Sequence, residues 1–376
     1  MASVPAALLC CCLAWGQPAP AEETPDLTAL AQEVKTLREL LAGVPALEAR
    51  LAEVEAQLAA LKSGQPAAAP VVAAAPKGPS FDGYGQLRFG TDADGGESAE
   101  SFVRRLRLNA RGALDEATSY RFELQMDSAL QGKGPGSRVQ LRTAYVDREL
   151  GAGRLRFGQA KIPFGYELEL SAADLWSGER SLLMDRLFPN QRDIGLQFQW
   201  PTGEGNPVVD VGVFNGAGIN TRDDNARKDW MARVRWPWAH GSASASYYNG
   251  AVGAGDDVMA RSRLGVGADW TSGQWSALAE WIAGQDAGHH VSGWYGQLGY
   301  SPTETAGTAF AKYDEYDENR AEKGDGFGRL TLGYWYDVSP RTRLTLAGEF
   351  RSIGEGFSER DNWSDTAAWL QCRFRY

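Results

Sequence analysis

Ala367-Ala368-Trp369-Leu370-Gln371-Cys372-Arg373-Phe374-Arg375-Tyr376 is the stretch that decides the fold. Leu370, Cys372, Phe374 and Tyr376 fall on one phase of a two-residue period, and Gln371, Arg373 and Arg375 fall on the other. A β-strand sends alternate side chains to opposite faces, so this segment reads as a strand with one apolar and one charged face. The same period recurs in fifteen segments upstream, from Phe81 onward, sixteen in all, separated by clusters of Gly, Asn, Asp, Ser and Pro. In the second segment Phe102, Leu106, Leu108 and Ala110 oppose Arg105, Arg107, Asn109 and Arg111. Val103 and Arg104 break the pattern near its start.

A soluble sandwich would also alternate, so two further features carry the argument. Aromatic residues stand mostly at segment ends (Tyr84, Trp200, Trp236, Trp270, Tyr300), as expected of membrane-interface girdles. The last strand ends on Phe374 and Tyr376, the kind of C-terminal aromatic signal that barrel assembly machinery reads. The expected fold is all-β: a transmembrane antiparallel β-barrel of 16 strands over residues 81–376, in a bacterial cell outer membrane. An even strand number keeps both termini on one side, and closure removes edge strands.

Composition narrows the function. The 376 residues carry 38 basic and 48 acidic side chains, a net charge of −10, which argues against a general nucleic-acid partner. Mean hydropathy is −0.38 and no apolar run reaches the ~18 residues of a membrane helix. With only His240, His289 and His290, and no Ser-His-Asp spacing, no metal, cofactor or catalytic site is expected. The charge cluster Tyr313–Asp325 lacks the spacing of a calcium loop and reads as a solvated extracellular loop, with divalent bridging to lipopolysaccharide of the outer-membrane lipid as the lesser alternative.

The first eighty residues are of another kind, and all 13 Tyr lie at or after Tyr84. Residues 1–21, with an apolar run and Ala19-Pro20-Ala21, read as a signal peptide. Removing it leaves Cys372 as the one cysteine, so no internal disulfide is possible. Residues 22–62 carry Leu and Val at spacings of three and four, interrupted at Gly43-Val44-Pro45, which reads as a short α-helical coiled coil in the periplasm. A single amphipathic helix packing on its own domain is the other reading. Residues 63–80 form an Ala/Pro-rich linker.

The longest inter-strand interval is Pro163–Pro189, and long loops in compact domains usually have a function. It carries Glu167, Glu169, Asp174, Glu179, Arg180, Asp185 and Arg186, which serve either to brace the loop or to contact a solute. Around it stand LRFGQAKIPFG (residues 155–165), GERS (178–181) and RDIG (192–195), after the earlier RRLRLNARG and AYVD. This order resembles the phosphate-selective porin O and P family over residues 81–376, most specifically over 102–200. The resemblance implies a trimeric sixteen-stranded porin with an arginine-lined lumen that narrows where the third loop, about 163–189, folds inward.

Arg88, Arg105, Arg107, Arg111, Arg121, Arg142, Arg154 and Arg156 all fall on the polar phase of the first five segments, where in-phase acids are fewer: Asp82, Glu123 and Asp127. If the apolar phase faces lipid, these guanidiniums line the pore, and their planar fork suits phosphate oxygens. Lys161 matches the lysine of the family's GQ-x-K segment, but a bend is needed to bring it into the lumen. Glu179, Arg180 and Arg186 are the constriction-loop candidates. The function expected is passive diffusion of small anions, with phosphate or polyphosphate as candidates. Two alternatives stand beside it: a general weakly selective porin, and a barrel that tethers the envelope through its coiled coil to peptidoglycan or a periplasmic partner.

Overall fold

The computed structural model describes residues 78–91, 99–127, 139–201, 205–223, 225–253, 257–303, 306–358 and 364–376. The signal-peptide and coiled-coil segments, and the linker as far as residue 77, lie outside the described residues.

Sixteen antiparallel strands close into one barrel. They are β1 (Ser80–Gly90), β2 (Glu100–Ala113), β3 (Thr118–Gln125), β4 (Gln140–Leu150), β5 (Gly153–Lys161), β6 (Arg192–Trp200), β7 (Val208–Phe214) and β8 (Asp229–Trp238). The second half comprises β9 (Gly241–Val252), β10 (Met259–Ser272), β11 (Trp275–Asp286), β12 (His289–Tyr300), β13 (Thr308–Asp317), β14 (Gly326–Ser339), β15 (Thr342–Ile353) and β16 (Thr366–Arg375). Each pairs with its sequence neighbours, and β1 closes on β16 in a register that sets Tyr84 against Arg375 and Gly90 against Trp369. Every strand edge is thereby satisfied.

Alternation is what builds this wall. Leu87, Phe89, Phe157, Leu196, Val211, Trp230 and Leu346 stand exposed on the outer face, while Arg88, Arg107, Glu123 and Arg233 are buried within. Trp200, Trp236 and Trp270 are exposed in the girdle positions that alternation predicts. Tyr84 is a correction: it is 5% exposed and faces inward against Ala172, Ala173 and Leu175. Its phase is that of Asp82, Gln86 and Arg88, and phase outweighs its position near a strand end.

Two-residue connections such as Gly151-Ala152 and Gly273-Gln274 join strands at the end of the barrel where β1 begins and β16 ends. Gly151 and Gly273 take positive φ (62° and 55°), which such tight connections favour. The longer connections lie at the opposite end, and the longest of these, residues 162–191 (L3), turns into the barrel. L3 contains a short helix, α1 (Leu182–Leu187), and then a 3₁₀ turn, Pro189–Gln191.

Candidate functional site

L3 fills one side of the lumen because its own apolar residues find apolar partners there. Phe164, Leu168, Leu183 and Met184 are fully buried against Tyr248 of β9, Ile282 of β11, Tyr295 of β12 and Phe327 of β14. Burying each such side chain stabilises by about 1.5–3 kcal/mol. Polar anchors fix the register. Glu280 of β11 accepts the backbone N–H groups of Tyr166 and Glu167 at 2.7 and 2.8 Å, as well as the Tyr295 hydroxyl. Asp314 accepts the Leu182 N–H at 2.9 Å, and Lys312 pairs with Glu167.

The tip of L3 is held from the other side by β1 and β2. Glu179 receives Arg88 at 2.6 Å, Arg104 at 2.8 Å and Arg105 at 2.9 Å. The interruption at Val103-Arg104 explains how two consecutive arginines reach one carboxylate. Gln86 pairs with Arg105 and Leu87 with Val103, so Arg104 is the extra residue of a β-bulge and turns inward beside Arg105. Burial pushes the Glu179 carboxyl up, and Arg104, Arg105 and Arg88 outweigh it, holding the group well below the usual carboxylate range.

With L3 against the far wall, a cavity of about 260 Å³ remains beside β2–β7. Its lining includes six cations (Arg107, Arg121, Arg154, Arg156, Lys161, Arg192) and three carboxylates (Glu123, Glu169, Asp210), with Tyr145 among the neutral residues. A fourth acid, Asp147, is engaged by Arg156 at 2.7 Å, while the same guanidinium lies 3.8 Å from the centre of the Tyr145 ring.

The nine cations read from the sequence therefore divide. Arg88 and Arg105 belong to the Glu179 clamp. Arg107 is buried on Glu123 at 3.0 Å, together with Arg192 at 2.9 Å. Arg111 pairs with Asp82 near the strand ends, and Arg142 donates to the side chain and carbonyl of Asn190. Lys161 does reach the cavity: Gly158, with φ of +129°, breaks the regular extended backbone of β5, and the Lys161 ammonium donates to the Glu169 and Leu170 carbonyls at 2.9 and 2.6 Å.

Of the arginines lining the cavity, Arg121 and Arg154 are the most open, with side chains 36% and 32% exposed. Arg121 shares Glu123 at 3.2 Å, and Arg154 donates to Gln199 at 2.8 Å with Asp147 3.8 Å away. Among the loop candidates, Arg180 is buried and donates to the Glu167 and Leu170 carbonyls, while Arg186 stacks 5.3 Å from the Phe357 ring centre.

Sequence reasoning missed Arg192, Arg233 and Arg235, and the acid Asp147. Arg233, Arg235 and Asp147 share the inward phase of their strands, so the alternation already read in the first five segments would have found them. Arg192 falls on the phase of Leu196 and Trp200, both exposed on the outer face, and is buried on Glu123 because the alternation breaks near the start of β6.

At the barrel seam Phe374 lies over Gly85, where an added Cβ would collide with the ring. Tyr376 exchanges backbone hydrogen bonds with Gly83 and donates its hydroxyl to the Arg107 carbonyl at 2.9 Å. Among the described residues no helix is long and apolar enough to cross a membrane, and no cluster of three metal-ligating side chains occurs.

Residues 82–249 match the family model described as phosphate-selective porin O and P, and the motifs from Phe102 to Trp200 lie inside that stretch. A search of curated protein sequences finds no significant match. Among solved structures the barrel is similar to the trimer form of OmpT from Vibrio cholerae, at 12% identity and a TM-score of 0.57, covering 80% of this chain and 100% of that one. It is also similar to OmpF of Salmonella typhi in complex with daunomycin, at 10% identity and a TM-score of 0.59, over 79% and 97% of the two chains. The outer-membrane channel DcaP of Acinetobacter baumannii matches at 13% identity and a TM-score of 0.54, over 80% and 98%. At these identities the likeness concerns the fold.

Proposed function

From the match of residues 82–249 to the phosphate-selective porin O and P family, and from the closed sixteen-stranded barrel, we propose an outer-membrane channel for passive diffusion of small anions, phosphate or polyphosphate among them. The observation that carries this reading is the charge of the passage beside L3: six cations against three lining carboxylates, with Asp147 a fourth acid behind Arg156. The net charge of −10 on the whole chain does not govern selectivity; the sign inside a narrow, low-dielectric passage does. Arg121 and Arg154, the most open arginines of the cavity lining, are the ones that meet a solute, and Arg156, Lys161, Arg107 and Arg192 supply the field around them. Conduction requires binding weak enough for release.

The pairing of Glu123 with Arg107 and Arg192, and of Asp147 with Arg156, favours a second reading, a general porin of weak selectivity. Reversal potential in a planar bilayer across a potassium chloride gradient separates the two. An anion-signed potential with chloride current blocked by phosphate supports the first, and a near-zero or cation-signed potential leaves the second. Envelope tethering through residues 22–62 is the third reading, tested by deleting that segment. Loss of envelope integrity with intact conductance supports it.

A homotrimer is part of the proposal. Exposed Trp residues on the outer wall (Trp200, Trp230, Trp236, Trp238, Trp270, Trp275, Trp281, Trp294) all lie on β6–β12. The outer faces of β1–β5 carry Phe, Leu and Val instead, which suits a wall turned to another subunit rather than to lipid headgroups. Cross-linking in intact membranes tests this, and a purely monomeric pattern counts against it.

A further inference from the structure

We propose that Glu169 acts as a tethered competitor for the permeating anion and sets how weakly the passage holds it, a reading that rests on anion passage through the cavity beside L3. The three carboxylates of that cavity are not equivalent. Glu123 is pinned between Arg107 and Arg192, and Asp210 takes two hydrogen bonds from Arg233 at 2.9 and 2.6 Å. Both acids are almost wholly buried and answer to cations that would otherwise be buried alone.

Glu169 differs on each count. It comes from L3 rather than the wall, its side chain is 35% exposed, and its carboxylate meets Arg233 at 2.5 Å with Arg235 3.9 Å away. Arg233 does not depend on it, since Asp210 and the Gly165 carbonyl at 2.9 Å already hold that guanidinium. Nor does the loop depend on this carboxylate, because Lys161 grips the backbone carbonyl of Glu169 and not its side chain. Burial pushes the Glu169 carboxyl up, but Arg233 and Arg235 outweigh it and keep the group below its ordinary range, so it is charged at neutral pH.

The result is a fixed anion beside the passage whose departure strands no buried cation, since Arg233 keeps Asp210 and Arg235 is 36% exposed. An oxyanion in the cavity presents the same acceptor oxygens to the same guanidiniums, so the two compete. The Glu169 charge also lowers the local anion concentration that the surrounding cations raise. Sequence alone places Glu169 among seven charged residues of the loop, with nothing to single it out.

Glu169→Gln keeps the side chain's size and removes its charge. In planar bilayers the anion-to-cation permeability ratio is expected to rise by roughly two- to tenfold over the unmodified protein. The phosphate concentration that half-blocks chloride current is expected to fall, and Glu169→Asp, which keeps the charge, is expected to stay near the unmodified protein in both readouts. Heat-modifiability on gels checks that each variant forms the barrel. An unchanged reversal potential and unchanged phosphate block in a folded Glu169→Gln barrel overturn the inference and leave Glu169 a brace. If the unmodified channel proves cation-selective, the anion reading fails, whereas a shift of Glu169→Gln toward anions still supports the Glu169 assignment.

Discussion

Arg104 and Glu179 meet as a two-point pair, Nε to Oε1 at 2.8 Å and Nη2 to Oε2 at 2.9 Å, joining a bulge in the barrel wall to the tip of the inward loop. The geometry is that of a planar fork on a carboxylate, the strongest form of ion pair available to side chains. Arg105 and Arg88 complete the set on the same carboxylate. Glu179→Gln leaves three guanidiniums crowded around a neutral amide. Breaking a buried pair by removing one partner costs about 3–5 kcal/mol. The expected outcome is a lower unfolding temperature together with noisier single-channel currents, as the loop tip loses its hold on β1 and β2. Quiet, unchanged currents from a folded variant would show that the apolar packing of L3 suffices to keep it still.

The same carboxylate makes a pH prediction whose sign can be worked out. Its folded pKa lies well below the usual value, because three arginines outweigh the cost of burial. Such a group contributes stability that is fully present above the unfolded value of about 4.3 and is lost as pH falls through the folded one. The clamp therefore holds through neutral and mildly acidic conditions. The difference in melting temperature between the unmodified protein and Glu179→Gln is expected to stay constant from pH 7 down to the ordinary carboxylate range, and to shrink only below it. A difference that disappears near pH 6 would mean that Glu179 is not held in the low-pKa state this geometry gives it.

Much of the barrel is legible from the pleat alone. Segments such as Leu106–Arg111 or Leu370–Tyr376 alternate because one face meets lipid and the other a polar lumen, and a two-residue period needs no knowledge of partners. The loop's landing place is written more faintly. Tyr248 shares its phase with Ser244 and Ser246, and Ile282 shares its phase with Glu280. Apolar residues on an otherwise polar face mark where L3 packs, but they look like noise until the loop is seen there. The pairing of the arginines was the least legible feature. Glu179 and Arg88 are far apart in sequence, and no local period connects a loop carboxylate with the bulge that turns Arg104 toward it. A lone mismatch at Val103-Arg104 was the visible trace of that bulge.

Position and exposure together rank the arginines for selectivity. Arg107 is buried on Glu123, and Arg111, though exposed, pairs with Asp82 outside the cavity lining. Arg121 and Arg154 line the cavity and are partly open, Arg121 held by Asn109 and Glu123 and Arg154 by Gln199. Arg121→Gln with Arg154→Gln is expected to lower the anion-to-cation permeability ratio by roughly three- to tenfold. Arg107→Gln with Arg111→Gln is expected to change selectivity less and to cost more stability, since Glu123 then loses one of its two close partners. Equal selectivity losses in the two double variants would mean that the field of the whole wall, rather than two open side chains, sorts the ions.

The packing of L3 gives a prediction with a built-in rescue. Gly265 of β10 faces the lumen, and the Phe164 ring lies where its side chain would be: an added Cβ would sit 2.7 Å from two ring carbons. Phe164 cannot simply swing away, because its ring is fully buried and packs at a tilt on Phe188 at a centroid distance of 4.8 Å. Gly265→Val therefore pushes the start of L3 off the β10 wall and toward the arginine-lined passage. Single-channel conductance is expected to fall, and the barrel is expected to lose about 1–3 kcal/mol from overpacking. Phe164→Ala alone leaves a cavity and costs about 3–5 kcal/mol, with L3 still on its wall. Combined, the two changes remove the collision and fill part of the hole, so the double variant should be more stable than the sum of the single losses implies, with conductance restored toward that of the unmodified protein. Strict additivity in both readouts would show that the Phe164 ring and the Gly265 backbone do not share the contact that places the loop.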